Sequence, residues 1–80
     1  MDTKEILKQV EVIFKDVLDN GDIVLTEQTT ANDIEEWDSL SHIQLIVEIE
    51  KYFKVKFSST EILSWQNVGE MLLAIQSKLG

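Results

Sequence analysis

The stretch EEWDSLSHIQL, residues 35–45, decides how this sequence is read. Acids and a tryptophan lead into Asp38, Ser39 and Leu40, and apolar residues at helical spacing follow. Leu40, Ile43 and Val47 lie along one line, with Ile46, Ile49 and Phe53 beside it. This spacing predicts a helix from Ser39 or Leu40 to about Lys54, with a stripe broad enough to pack on more than one side. An acidic loop therefore delivers a serine to the first turn of a helix. Ser39 either caps that helix or offers a hydroxyl for attachment. A helix N-terminus has free N–H groups and positive potential, so phosphate placed there is stabilised by the backbone itself. Asp38, directly before it, is suited to helping hold Mg²⁺ while a phosphoryl group is transferred by another protein.

Upstream, Ile6, Val10, Ile13, Phe14 and Val17 recur at three- and four-residue steps, widened by Leu7 and Leu18. They predict a first helix that Asp2 or Thr3 caps, with Glu5 in capping-box register, and that ends near Leu18 before the turn DNGD at 19–22. From Asp19 to Asp38 no period is sustained, which is long for a loop in a small domain. Ile23, Leu25, Ile34 and Trp37 are the expected pins, with a short helical turn near residues 32–36. Downstream, KVKF alternates for too few residues to make a sheet. Ser58 to Glu61 and Asn67 to Glu70 are capping patterns for a short third helix through Leu63 and for a last helix. The last helix is expected to bury Val68, Met71, Leu72, Ile75 and Leu79. The sum is an all-α fold, a small antiparallel four-helix bundle of three main helices and one short third helix, with a long loop between helices one and two. Residues 1–80 read as one domain.

Composition narrows the function. With no Cys, thiolate metal sites and disulfides are excluded; with no Pro and three Gly, helices are favoured. The formal charge is −8, and from Asp16 to Glu50 there are ten acids and no Lys or Arg. Such a field repels phosphate backbones, so no nucleic acid is expected, and it attracts partners with cationic surfaces. No apolar run approaches the roughly 18 residues of a membrane span. The start, MDTKEILKQ, lacks the pattern of a signal peptide, so a cytoplasmic protein is expected.

Two catalytic or metal readings fall short. DVLDNGDIVLTE, residues 16–27, has partial EF-hand spacing, but Leu18 stands where an oxygen ligand is needed. Ser39 and His42 share a helix face, yet there is no orienting group for the imidazole and no glycine-flanked nucleophile elbow. His42 is expected at the surface near the helix start.

WDSLSHIQLIVEIEKYF resembles the prosthetic-group segment of acyl carrier proteins, whose Asp-Ser-Leu is matched by Asp38, Ser39 and Leu40. WQNVGEML is similar to the family's start of the last helix, with Val68, Gly69 and Glu70 in register. The resemblance runs across nearly the whole chain. It implies that Ser39 carries 4′-phosphopantetheine, installed from coenzyme A by a phosphopantetheinyl transferase with Mg²⁺, and that Asp38 serves Mg²⁺ and transferase recognition. It implies a carrier without catalysis of its own, holding acyl groups as thioesters for fatty-acid, polyketide or another specialised pathway. Leu40, Ile43, Val47, Glu48 and Glu50 would dock partner enzymes with cationic patches, and the bundle would shelter an apolar chain. A monomer is expected. Ser41, Gln44 and Lys51 stand where many fatty-acid carriers have acids, which points to a specialised carrier. WDSLSH is similar to stand-alone carriers of polyketide or surface-glycan pathways, while IQLIVEIE and Trp65 resemble D-alanyl carriers, so an aminoacyl cargo is the alternative. An unmodified helical interaction module is the other.

Overall fold

The computed structural model describes residues 2–79. Four α-helices follow one another: α1 (Thr3–Val17), α2 (Ser39–Phe53), α3 (Ser59–Ser64) and α4 (Val68–Leu79). A single 3₁₀ turn, Ala31–Asp33, interrupts the long first loop, slightly earlier than the sequence suggests. Among the described residues there is no strand. α1 packs against both α2 and α4, and the whole measures 31 × 24 × 22 Å.

Each helix begins where its capping chemistry sits. The Asp2 carboxylate accepts the Glu5 N–H and starts α1. Ser58 and Glu61 form a reciprocal capping box on α3, which is how six residues hold a helix. α2 ends at Lys54, which turns left-handed (φ 57°) and lets the Glu50 carbonyl accept the N–H groups of both Lys54 and Val55.

The core joins Ile6, Val10 and Phe14 of α1, Leu45, Ile49 and Phe53 of α2, and Val68, Met71, Leu72 and Ile75 of α4. Two expectations are corrected here. The buried line of α2 is Ser41, Leu45, Ile49 and Phe53, flanked by Ile46, and not the line of Leu40, Ile43 and Val47, which faces outward. Leu79 is not core: as the last residue of α4 it is 38% exposed.

The first loop is part of the core. Its pins Ile23, Leu25, Ile34 and Trp37 are all buried. Polar bonds fix its path: the Leu25 N–H donates to the Glu11 carboxylate of α1 (2.9 Å), and the Asn20 amide donates to Glu36 (3.0 Å). Farther on, the loop caps α4. The Thr29 carbonyl accepts the Val68 N–H at 2.9 Å, and the Glu27 carbonyl accepts the Gly69 N–H at 2.8 Å. Two of the four N–H groups that any helix start leaves unpaired are thus satisfied by a segment some forty residues away, on the order of the whole loop-plus-α2 span.

Candidate functional site at the start of α2

The loop arrives at α2 through Trp37, which lies edge-on to Phe14 with ring centroids 4.9 Å apart. With Trp37 anchored, the next residues are set. Asp38 is the N-cap: its Oδ1 accepts the Ser41 N–H at 2.9 Å. Ser41 answers, its buried hydroxyl accepting the Asp38 N–H at 2.8 Å and donating to the Glu36 carbonyl at 2.9 Å. The box reverses the usual Ser/Thr–Glu arrangement, with the carboxylate at the N-cap and the hydroxyl three residues on. It shows why a serine stands at 41: the position is inside the cap, and its departure from acidity concerns local folding rather than docking.

This arrangement answers what Ser39 is for locally. It is not the cap. It is the first residue of α2, exposed, and its hydroxyl has no hydrogen bond among the described residues. It stands at the positive end of α2, whose first-turn N–H groups are capped by Asp38. Asp38 beside it is exposed, and the N–H and hydroxyl of Ser41 hold its carboxyl below the ordinary value, so it is ionised at neutral pH. An accessible hydroxyl, an anion-favouring helix start and an ionised carboxylate are a fit place to attach a phosphodiester.

His42, expected at the surface, is partly buried. Its Nδ1 accepts the Trp37 indole N–H at 3.1 Å, its ring stacks on Trp37 at 5.9 Å, and Trp65 meets it edge-on at 6.5 Å. With Nδ1 accepting from Trp37 and the ring also hydrogen-bonded to the Ile62 backbone, both nitrogens are committed away from Ser39, which counts against the hydrolase reading. Burial lowers its pKa, while a hydrogen bond with the Ile62 backbone pulls weakly the other way. The folded state therefore prefers neutral His42. Stability is present in full above the ordinary value near 6.5 and falls as pH drops through the lowered value, because the unfolded chain takes up the proton first. Asp38 and Glu61, whose pKa values are lowered from the ordinary carboxylate range, lose their contribution only at more acid pH. Urea unfolding at about pH 7.5 and about pH 5.5 is expected to show lower stability at the acid value in wild type and a flatter profile in His42→Gln. An equal fall in both proteins would assign the effect to another group.

The sequence-derived docking residues divide. Leu40 is 70% exposed, Ile43 63% and Val47 41%, forming an apolar ridge that runs away from Ser39. Glu48 is exposed and pairs weakly with Lys51 at 3.9 Å. Glu50 is placed differently: its carboxylate accepts the Phe57 N–H at 2.9 Å and tethers the segment before α3 to α2. Beside His42 lies a cavity of about 240 Å³ between α2, α3 and α4, walled by Trp37, Ile62, Leu63, Trp65 and Met71. Sequence reading did not link His42 with Trp37 and Trp65, since Trp37 lies before the helix, Trp65 is more than twenty residues on, and the three share no periodic face.

The chain matches the family described as "Phosphopantetheine attachment site" over residues 8–75. It is an acyl carrier protein family member. No curated protein sequence matches it significantly. Among solved structures it is similar to a holo acyl carrier protein from Geobacter metallireducens, at 45% identity and a TM-score of 0.86, covering 91% of this chain and 84% of that one. The carrier's cofactor is covalently attached 4′-phosphopantetheine. Among its described residues, no helix is long and apolar enough to cross a membrane.

Proposed function

We propose that the carrier holds acyl intermediates as thioesters on a 4′-phosphopantetheine arm joined to Ser39, and passes them between biosynthetic enzymes. The observation that carries this is the free, exposed hydroxyl of Ser39 on a helix start whose capping is done entirely by Asp38 and Ser41. The hydroxyl is spared for chemistry. The arm supplies a thiol that a chain without cysteine lacks. Attachment from coenzyme A falls to a phosphopantetheinyl transferase with Mg²⁺, and Asp38, ionised and adjacent, is the carrier's contribution to that metal and to recognition. The polypeptide itself catalyses nothing, and it works in the cytoplasm as a monomer.

Leu40, Ile43, Val47 and Glu48 are the docking face for the transferase and the acyl-processing enzymes, whose cationic patches the acidic surface attracts. Glu50, turned to the Phe57 N–H, serves the fold first. The cavity beside His42 supports an acyl cargo over an aminoacyl one: its Trp, Ile, Leu and Met walls suit an alkyl chain, and beside these only His42, Gln66 and Asn67 are polar, with no carboxylate in the lining to pair an ammonium. Lys51 and Gln44 on the docking helix support a specialised pathway, polyketide or another, over general fatty-acid synthesis.

The test is direct. Purified apo protein is incubated with coenzyme A, Mg²⁺ and a broad-specificity transferase, and the intact protein is weighed. Wild type is expected to gain one phosphopantetheinyl unit, and Ser39→Ala none while keeping its helical circular dichroism. Failure of folded wild type to gain mass with several transferases would leave only an unmodified interaction module.

A further inference from the structure

The turn DNGD at 19–22 places a glycine after Asn20, and the chain has two other asparagines to set beside it, Asn32 and Asn67. An asparagine loses ammonia when the backbone nitrogen of the next residue attacks its side-chain amide carbon. At Asn32 and Asn67 that nitrogen is committed elsewhere. The Asp33 N–H donates to the Thr30 carbonyl at 3.0 Å, and the Val68 N–H donates to the Thr29 carbonyl at 2.9 Å. Asp33 and Val68 also carry side chains beside the attacking atom. The Gly21 N–H, by contrast, has no hydrogen bond among the described residues. Gly21 is exposed, and a Cβ built on it would meet nothing within 4 Å. The Asn20 amide is both activated and tethered. Its Oδ1 accepts the Asp22 N–H at 3.0 Å, which polarises the carbonyl. Its Nδ2 donates to the Glu36 carboxylate at 3.0 Å, which holds the group that has to leave.

We propose that Asn20 is a site of spontaneous deamidation, that Glu36 slows the reaction, and that the product loosens the loop leading to Ser39. The Gly21 nitrogen forms a bond to Asn20 Cγ and gives up its proton. The Cγ–Nδ2 bond breaks, and ammonia leaves with that proton. Water then opens the cyclic imide at either carbonyl, giving aspartate or isoaspartate, and nothing is oxidised or reduced. Either product puts a carboxylate where the Glu36 side chain had a donor. A bond that ties the end of α1 to the residues just before Trp37 becomes a repulsion between like charges. The added charge falls in a hollow that Asp22, Asp33, Glu35 and Glu36 already line, with no Lys among its walls to offset it. Trp37, buried beyond it, keeps its place in the core, so the loosening is local. The inference does not depend on Ser39 bearing the arm.

The full chain, purified and folded, is incubated at mildly alkaline pH, where the attacking nitrogen gives up its proton more readily. Samples are resolved by anion exchange and mapped by peptide mass spectrometry. The expected result is a more acidic form modified at Asn20, with Asn32 and Asn67 intact. Gly21→Ala, which the open turn accepts, is expected to slow its formation, because a Cβ crowds the attacking nitrogen and narrows the backbone torsions. Glu36→Ala is expected to speed it about fivefold, the equivalent of one hydrogen bond, with Asn67 still intact as the sign that the fold has not opened. Asn20→Asp reproduces the product charge. In it the Ile34 and Trp37 amides, which donate to the Ala31 and Ile34 carbonyls, are expected to exchange with deuterium about fivefold faster. No modification at Asn20, or equal modification of all three asparagines, would overturn the site. An unchanged or slower rate in Glu36→Ala, or a rate that rises equally at Asn67, would overturn the restraint. Unchanged exchange in Asn20→Asp would overturn the loosening.

Discussion

Trp37→Ala is expected to destabilise the fold by about 3–5 kcal/mol, the usual range for removing a large buried aromatic. Trp37 is nearly fully buried, meets Phe14 edge-on at 4.9 Å, stacks on His42 and donates its indole N–H to that ring. It thereby joins α1, the first loop, α2 and the wall of the cavity near α3. At about 0.05–0.15 kcal/mol per residue, a chain of this size has only about 4–12 kcal/mol in total. The melting temperature should fall by on the order of 15–30 °C, given the small unfolding entropy of so short a chain. Trp37→Phe keeps the edge-on contact and loses the N–H, leaving His42 Nδ1 unpaired, and should cost about 1–3 kcal/mol. Thermal unfolding followed by circular dichroism separates the three proteins. If Trp37→Ala melts within a few degrees of wild type, the loop is not held by this residue.

Gly69→Val is expected to cost about 2–4 kcal/mol, although the site is near the surface and helical. A Cβ at Gly69 would meet the Glu27 carbonyl oxygen at 3.0 Å and the Asn67 side-chain oxygen at 3.3 Å. The first of these is backbone and cannot swing aside. The loop must withdraw, which breaks the Gly69 N–H bond to Glu27 and loosens the Val68 bond to Thr29. Overpacking of this kind costs about 1–3 kcal/mol, and each lost bond adds about 1 kcal/mol. The amides of residues 27, 29, 68 and 69 should exchange with deuterium faster before global unfolding does so. Unchanged exchange at those amides would show that the loop absorbs the side chain without leaving α4.

The glycine illustrates how far the sequence could be read. Val68, Gly69 and Glu70 are legible as the beginning of the last helix, and Asn67 with Glu70 as its cap, which the Asn67 Oδ1 to Glu70 N–H bond of 3.0 Å matches. That the glycine makes room for a carbonyl from the first loop is not legible, because the contact joins segments with no shared period. The four loop pins were readable for the opposite reason. Isolated large apolar residues in a polar stretch have nowhere to go except the core. On α2 the periodicity identified a helix but not its orientation: with apolar residues around most of its circumference, only packing against α1 determined that Leu45 turns inward and Leu40 outward.

The candidate site divides along the same line. Helical period, capping residues and the Asp38–Ser39–Leu40 triplet were enough to establish four helices, their starts and the serine of interest, because these depend on neighbours three or four positions apart. Only the tertiary structure assigned the cap to Asp38 and Ser41 and left Ser39 free, buried His42 between two tryptophans, and turned Glu50 from the surface to the Phe57 N–H. Those outcomes depend on which groups meet after the long loop folds back over α1. Burial and hydrogen-bond competition at such meetings are properties of the packed chain, which no local spacing encodes.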